Sequence, residues 1–139
     1  MRTKIKPADT WFSKCVREAS DWTCGCCGKK HEKGSTGLHN SHHYSRRHRT
    51  VRWCSQNTMA LCFSCHQWFG GNPLESGRWL EALLGETHIG ILDEKKNCGV
   101  KVSKIEEKEI ATHYKAELQK LEERRLNGEV GQLDFVSWQ

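Results

Sequence analysis

Apolar residues recur along this chain at helical spacing towards both ends, with two short strand-like runs between. Trp11, Phe12, Cys15, Val16 and Ala19 share one face of a 3.6-residue repeat. They predict a first helix over residues 8–20, with Asp9 as its N-cap, broken by Asp21 and Thr23. Residues 38–44 and 50–53 carry β-branched and aromatic side chains on either side of a basic turn, and predict two short antiparallel strands. A helix follows through Gln67, Trp68 and Phe69 and ends near Gly70-Gly71. Pro73 opens another, with Trp79, Leu80, Leu83 and Leu84 as its inner face, stopped by Gly85. Ile89, Ile91 and Leu92 predict a further short helix. Ser103 and Glu106 form a capping box for the last helix, whose stripe is Ile110, Tyr114, Leu118 and Leu121, and Asn127-Gly128 supplies its left-handed stop. The tail beyond it bears Val130, Leu133, Phe135, Val136 and Trp138, apolar enough to dock on the body.

These elements add up to an α+β fold in a single domain of 139 residues. It divides into an N-terminal helix (8–20), a cysteine- and histidine-bearing core (22–72), a helical part (73–127) and an apolar tail (128–139). A hydrophobic content of 36% with 28% charged residues is that of a globular chain. No run approaches membrane-spanning length and the N-terminus lacks the apolar stretch of a secretion signal, so a cytoplasmic location and no membrane contact are expected. In that setting eight cysteines predict metal binding in preference to disulfides.

Charge changes the picture further. Residues 1–73 carry 12 Lys/Arg against 4 Asp/Glu, a net +8, whereas residues 74–139 carry 10 against 13, a net −3. The positive charge thus sits beside the candidate metal residues, which favours a phosphate-bearing partner, nucleic acid first. Cys24 and Cys27 share a two-residue gap with Cys62 and Cys65, and two such pairs close one tetrahedral zinc site. Cys26 adjoins Cys27 and competes as a ligand. Cys15 reads as a buried small hydrophobe, Cys54 and Cys98 have no partner at ligand spacing, and His31, His88 and His113 read as ordinary polar residues. Arg46, Arg47, Arg49 and Arg52 fall within seven residues and can clamp phosphates.

The order knuckle, histidine strand, basic turn, second strand, Asn, knuckle, His resembles the HNH endonucleases, the zinc-braced branch of the ββα-metal (His-Me finger) nucleases. Within them it is most similar to the phage recombination nucleases of the NinG/Rap type. The matching residues are Ser41-His42-His43-Tyr44-Ser45-Arg46-Arg47-His48, Val51-Arg52-Trp53 and the run from Asn57 to His66. The resemblance implies a metal-dependent endonuclease that hydrolyses phosphodiester bonds of duplex or branched DNA, acting inside a bacterial host cell. It implies His42 as general base, Asn57 as the residue that ties the loop, and His66 as ligand of a catalytic Mg²⁺ or Mn²⁺ distinct from the structural zinc.

Many members place Asp just before the base, where this chain has Ser41; Ser41, Asn40, His39 or water then completes the ion's ligands. A register shift of one would make His42 the ligand and His43 the base. The competing readings are a non-catalytic zinc-finger module that binds DNA on a decayed HNH fold, and a zinc adaptor for a protein partner. The sequence leaves monomer and homodimer both open.

Overall fold

The computed structural model describes residues 3–138. Its first helix, α1 (Pro7–Ala19), starts at proline, whose fixed φ and missing N–H suit the first turn. Asp9, expected as the N-cap, is instead the third helical residue, and its Oδ2 accepts the backbone N–H of the true N-cap, Lys6, at 2.8 Å. The chain leaves α1 through Asp21 and Trp22, both left-handed at φ 56° and 55°. Each such non-glycine residue costs about 1–2 kcal/mol, so partners must hold the turn. The Trp22 indole donates to Glu18 at 2.6 Å, and the Asp21 carboxylate accepts from the Gly131 amide at 2.9 Å and pairs with Lys30.

Strand β1 (Leu38–His42) pairs antiparallel with β2 (Thr58–Cys62), Leu38 opposite Cys62 and His42 opposite Thr58. The second strand is therefore not 50–53. That segment forms α2 (Arg49–Arg52), one helical turn, followed by a 3₁₀ turn at Ser55–Asn57. Val51, Arg52 and Trp53 are all buried, so the segment lacks the one-face alternation of a half-exposed strand. β1 also stops at His42 instead of Tyr44, because the Asn57 side chain takes both backbone groups of Tyr44 out of the ladder.

Beyond β2 come α3 (Phe63–Gly71), α4 (Pro73–Leu84), α5 (Glu86–Lys96) and α6 (Lys104–Leu126). The core lies between α1, the sheet and α6. Phe12, Cys15 and Ala19 meet Ile110, Tyr114 and Leu121, and the Cys15 thiol donates to the Tyr114 carbonyl at 3.1 Å. Half of the predicted α6 capping box forms: Ser103 Oγ accepts the Glu106 amide at 3.1 Å, while the Glu106 carboxylate accepts the Trp138 indole N–H instead; Gly128 takes φ 90°. The tail docks through Leu133, Phe135 and Trp138, while Val130 and Val136 stay exposed. By contrast α4 buries only Ser76 and α5 only Leu92. Leu83, expected on an inner face, is exposed. Among the described residues no helix is long and apolar enough to cross a membrane.

Arg52 ties α1 to the centre of the fold. It is 2% exposed, and its Nε and Nη2 donate to Asp9 at 2.9 and 2.5 Å, with a further bond from Nη2 to the Lys4 carbonyl at 2.7 Å. Removing one partner of a buried ion pair leaves an uncompensated charge and costs about 3–5 kcal/mol. Asp9→Ala is expected to lose that much in urea unfolding at fixed zinc, and the double variant Asp9→Ala/Arg52→Met to recover a large part of it. Equal losses in the single and double variants would assign the effect to something other than the stranded charge.

Candidate metal centre and active-site cleft

The knuckle at residues 24–28 lies hard against β2. The Gly25 amide donates to the Ala60 carbonyl at 2.7 Å, and a Cβ on Gly25 would sit 2.8 Å from the Met59 side chain. A side chain here would have to displace Met59, so the close approach favours glycine. It delivers Cys24 and Cys27 to the end of the sheet, where Cys62 closes β2 and Cys65 lies in the first turn of α3. The four Sγ atoms lie within 4.8 Å of one another, with Cys27 and Cys62 at 3.8 Å. Two sulfurs each about 2.3 Å from a tetrahedral zinc are about 3.8 Å apart, so donors and dimensions both suit that ion. Cys26 is exposed and outside the cluster.

The thiols are poised for a cation. Burial raises Cys24, but hydrogen bonds from the backbone amides of Cys62, Cys27 and Cys26 outweigh it and bring the thiol down to about 6. Burial, then the neighbouring sulfurs of Cys62, Cys24 and Cys27, hold Cys65 far above its ordinary value. The Cys24 thiolate thus forms readily, whereas Cys65 needs a metal to ionise.

An open cleft of about 790 Å³ lies between α1, β1, the basic turn and the start of α3. His39, Asn40, His42, Arg46 and His66 line it together. His39 Nδ1 and His66 Nδ1 are 3.0 Å apart. Two imidazole nitrogens about 2.1 Å from one ion and at right angles about it are also about 3.0 Å apart, so the pair is spaced to chelate. Burial, and secondarily His39 beside it, lowers the His66 pKa, and at this separation one ring donates its Nδ1–H to the other, a bond that a shared ion would replace. The Asn40 Oδ1 is buried without a hydrogen-bond partner among the described residues.

His42 is oriented by its backbone surroundings. Its Nε2 lies 3.0 Å from the Arg52 carbonyl oxygen, which can only accept, so Nε2 carries the proton and Nδ1 is the basic nitrogen. Burial lowers the imidazole to about 4, with the Arg52 carbonyl opposing and Arg46 reinforcing. Asn57, wholly buried, holds the loop that brings Arg52 there. Its Nδ2 donates to the carbonyls of Tyr44 and Val51 at 3.0 and 3.1 Å, and its Oδ1 accepts from the Tyr44 amide at 2.9 Å.

Other expected site residues are placed differently. His43 does not line the cleft; its ring lies beside Phe69, its Nδ1 is buried without a partner, and burial lowers it too to about 4. Ser41, expected as a ligand, is 1% exposed and is not part of the cleft wall. Arg52 is withdrawn from any phosphate by Asp9. Arg49 is engaged by Glu107 at 2.5 Å and by the Val102 carbonyl at 3.2 Å, so only part of its guanidinium faces outwards. Arg46 keeps its place in the cleft and Arg47 lies on its outer side.

The sequence reading missed Thr10, Ser13 and Arg17, which line the cleft from α1. Their spacing of three and four on one helix was the available signal, but a polar helix face ordinarily faces water. His88 and His113 bond to the carbonyls of Gln56 and Val136, as ordinary polar residues do.

The molecule is thus a mixed α+β protein with a small two-stranded sheet and a four-cysteine cluster that could hold zinc. Compared with protein-family models, curated proteins and solved structures, the chain matches none. One zinc per chain is expected by elemental analysis of freshly purified protein. Its removal by a strong chelator should abolish the cooperative thermal transition, since structural zinc binding is folding free energy. Metal-free protein with an unchanged transition would count against the cluster as a metal site.

Proposed function

We propose that this chain is a zinc-braced HNH-type DNA endonuclease whose cleft hydrolyses phosphodiester bonds with the help of one weakly held divalent ion. The observation that carries the reading is the coincidence, in one cleft, of a histidine with a fixed tautomer and a histidine pair whose Nδ1 atoms face each other at 3.0 Å.

His42 would take the proton of the attacking water on Nδ1, while the Arg52 carbonyl holds Nε2–H and so fixes the ring plane. His39 and His66, with Asn40 from the same cleft wall as a further candidate, would hold Mn²⁺ or Mg²⁺. Bound there, such an ion supplies charge relief at the phosphate and the leaving 3′ oxygen. Arg46 would contact a non-bridging phosphate oxygen, and Asn57 would keep His42 and the Arg52 carbonyl in register. Imidazole ligands suit Mn²⁺ better than Mg²⁺, which prefers oxygen and its own waters. Nothing in the cleft reads bases, so recognition would rest on backbone and shape, with branched recombination intermediates as the substrate that the resemblance favours.

His42→Ala is expected to lower plasmid nicking about a hundredfold or more, with zinc content and DNA affinity unchanged. His66→Ala is expected to lose the response of cleavage to Mn²⁺ and the weak Mn²⁺ site seen by calorimetry on zinc-loaded protein. No second metal site and no cleavage of linear, looped or four-way DNA by the parent protein would reduce the molecule to a zinc-braced binding module.

The pH dependence separates a buried base from an exposed one. With His42 depressed to about 4, the base is neutral and competent throughout the neutral range and is lost only as pH falls towards that value. The acid limb of the nicking rate at saturating Mn²⁺ should therefore lie well below the value of about 6.5 for a free imidazole. A limb at that ordinary value would place a solvent-exposed histidine in the role.

A further inference from the structure

The basic turn has two sides. Arg46 lines the cleft, whereas the next residue, Arg47, lines a second depression of about 440 Å³ between the turn and the segment joining α5 to α6. Its wall also carries His48, Arg49, Lys96 and Lys101, and no acidic side chain. Glu107 offsets Arg49 from behind. Lys96 and Lys101 form no ion pair with any described residue; Lys96 instead rests over the Tyr44 ring, 4.6 Å from its centre, and Lys101 is exposed. Thr50 bonds to the Lys96 carbonyl at 3.3 Å, which fixes the end of α5 against the turn. Two cations are thereby added to a groove that begins one residue from the cleft.

A concave surface lined by cations, two of them outside any ion pair with a described residue, carries a positive potential that attracts a polyanion. We propose that this groove is a track for the phosphate backbone of DNA, extending the cleft across the basic turn, with Lys96 and Lys101 as its phosphate contacts. The proposal rests on the reading of the cleft as a DNA site but not on its catalytic competence. It assigns to the helical C-terminal part a role in holding substrate, beyond covering the core.

The test uses zinc-loaded full-length protein, an end-labelled short duplex DNA and fluorescence anisotropy over a range of salt, without added divalent ion. Lys96→Gln/Lys101→Gln keeps much of each side-chain stem while removing two charges. Losing two phosphate contacts should weaken binding roughly ten- to a hundredfold near 0.1 M salt and reduce the salt slope by about two units. The control Lys14→Gln/Lys115→Gln removes the same charge around Trp11, outside both depressions, and should change the slope little. Lys96→Arg/Lys101→Arg should restore affinity.

Equal losses in the two Gln pairs would reduce the groove to its share of net charge and overturn the proposal, as would an unchanged slope or a parent protein that binds no DNA. A parent protein that fails to cut, yet shows the selective loss of slope, would uphold the groove and overturn the nuclease. Cleavage with no selective loss would do the reverse.

Discussion

The carboxamide of Asn57 is the interaction on which the rest of the central region depends. It fills three hydrogen-bonding positions from one buried side chain, joining the start of the basic turn at Tyr44 to its end at Val51. Its own backbone carbonyl accepts the His43 amide at 2.8 Å. A loop of this length has no ladder to satisfy its backbone, and each buried peptide group left unpaired costs about 1–3 kcal/mol. A single Asn thus replaces what would otherwise take a third strand. Everything catalytic in the proposed reading follows from that closure, since it sets where the Arg52 carbonyl meets His42.

The same closure explains why Arg52 is consumed internally. Once its carbonyl is aimed at His42, its side chain runs into the core and needs a carboxylate, which Asp9 supplies from α1. Charge, tautomer and helix packing are thus coupled through one residue. The basic turn consequently divides into arginines that serve the fold, Arg49 and Arg52, and arginines that face the surface depressions, Arg46 and Arg47.

Much of this is legible in the sequence where the signal is periodic or paired. The stripes of α1 and α6 and the matched spacing of Cys24/Cys27 and Cys62/Cys65 all lead to what the structure shows. The second strand is not legible, because Thr50-Val51-Arg52-Trp53 has the composition of a strand but not its environment; burial on every side is a tertiary property. Asp9 is misread for a related reason. An acidic residue near a helix start looks like a cap, and nothing local reveals an arginine 43 positions away. His39 is visible only as one alternative, because its pairing with His66 depends on a strand register that the misplaced β2 hides. Leu83 and Ile91 fit an apolar stripe, yet the opposing surface is missing.

That missing surface has a kinetic meaning. The helices α4 and α5 add one buried residue each, and α5 is fastened to the body by the small cluster of Val51, Cys54 and Leu92 and by hydrogen bonds at Asp93 and the Lys96 carbonyl. A segment held by so little apolar burial belongs to the low end of the local-unfolding scale, opening long before the α1–α6 core does. Opening of this arm is expected to leave the thiol cluster and the sheet in place, since neither lies in α4 or α5. Because α5 ends in Lys96, each such opening would also carry one wall of the basic groove away from the turn.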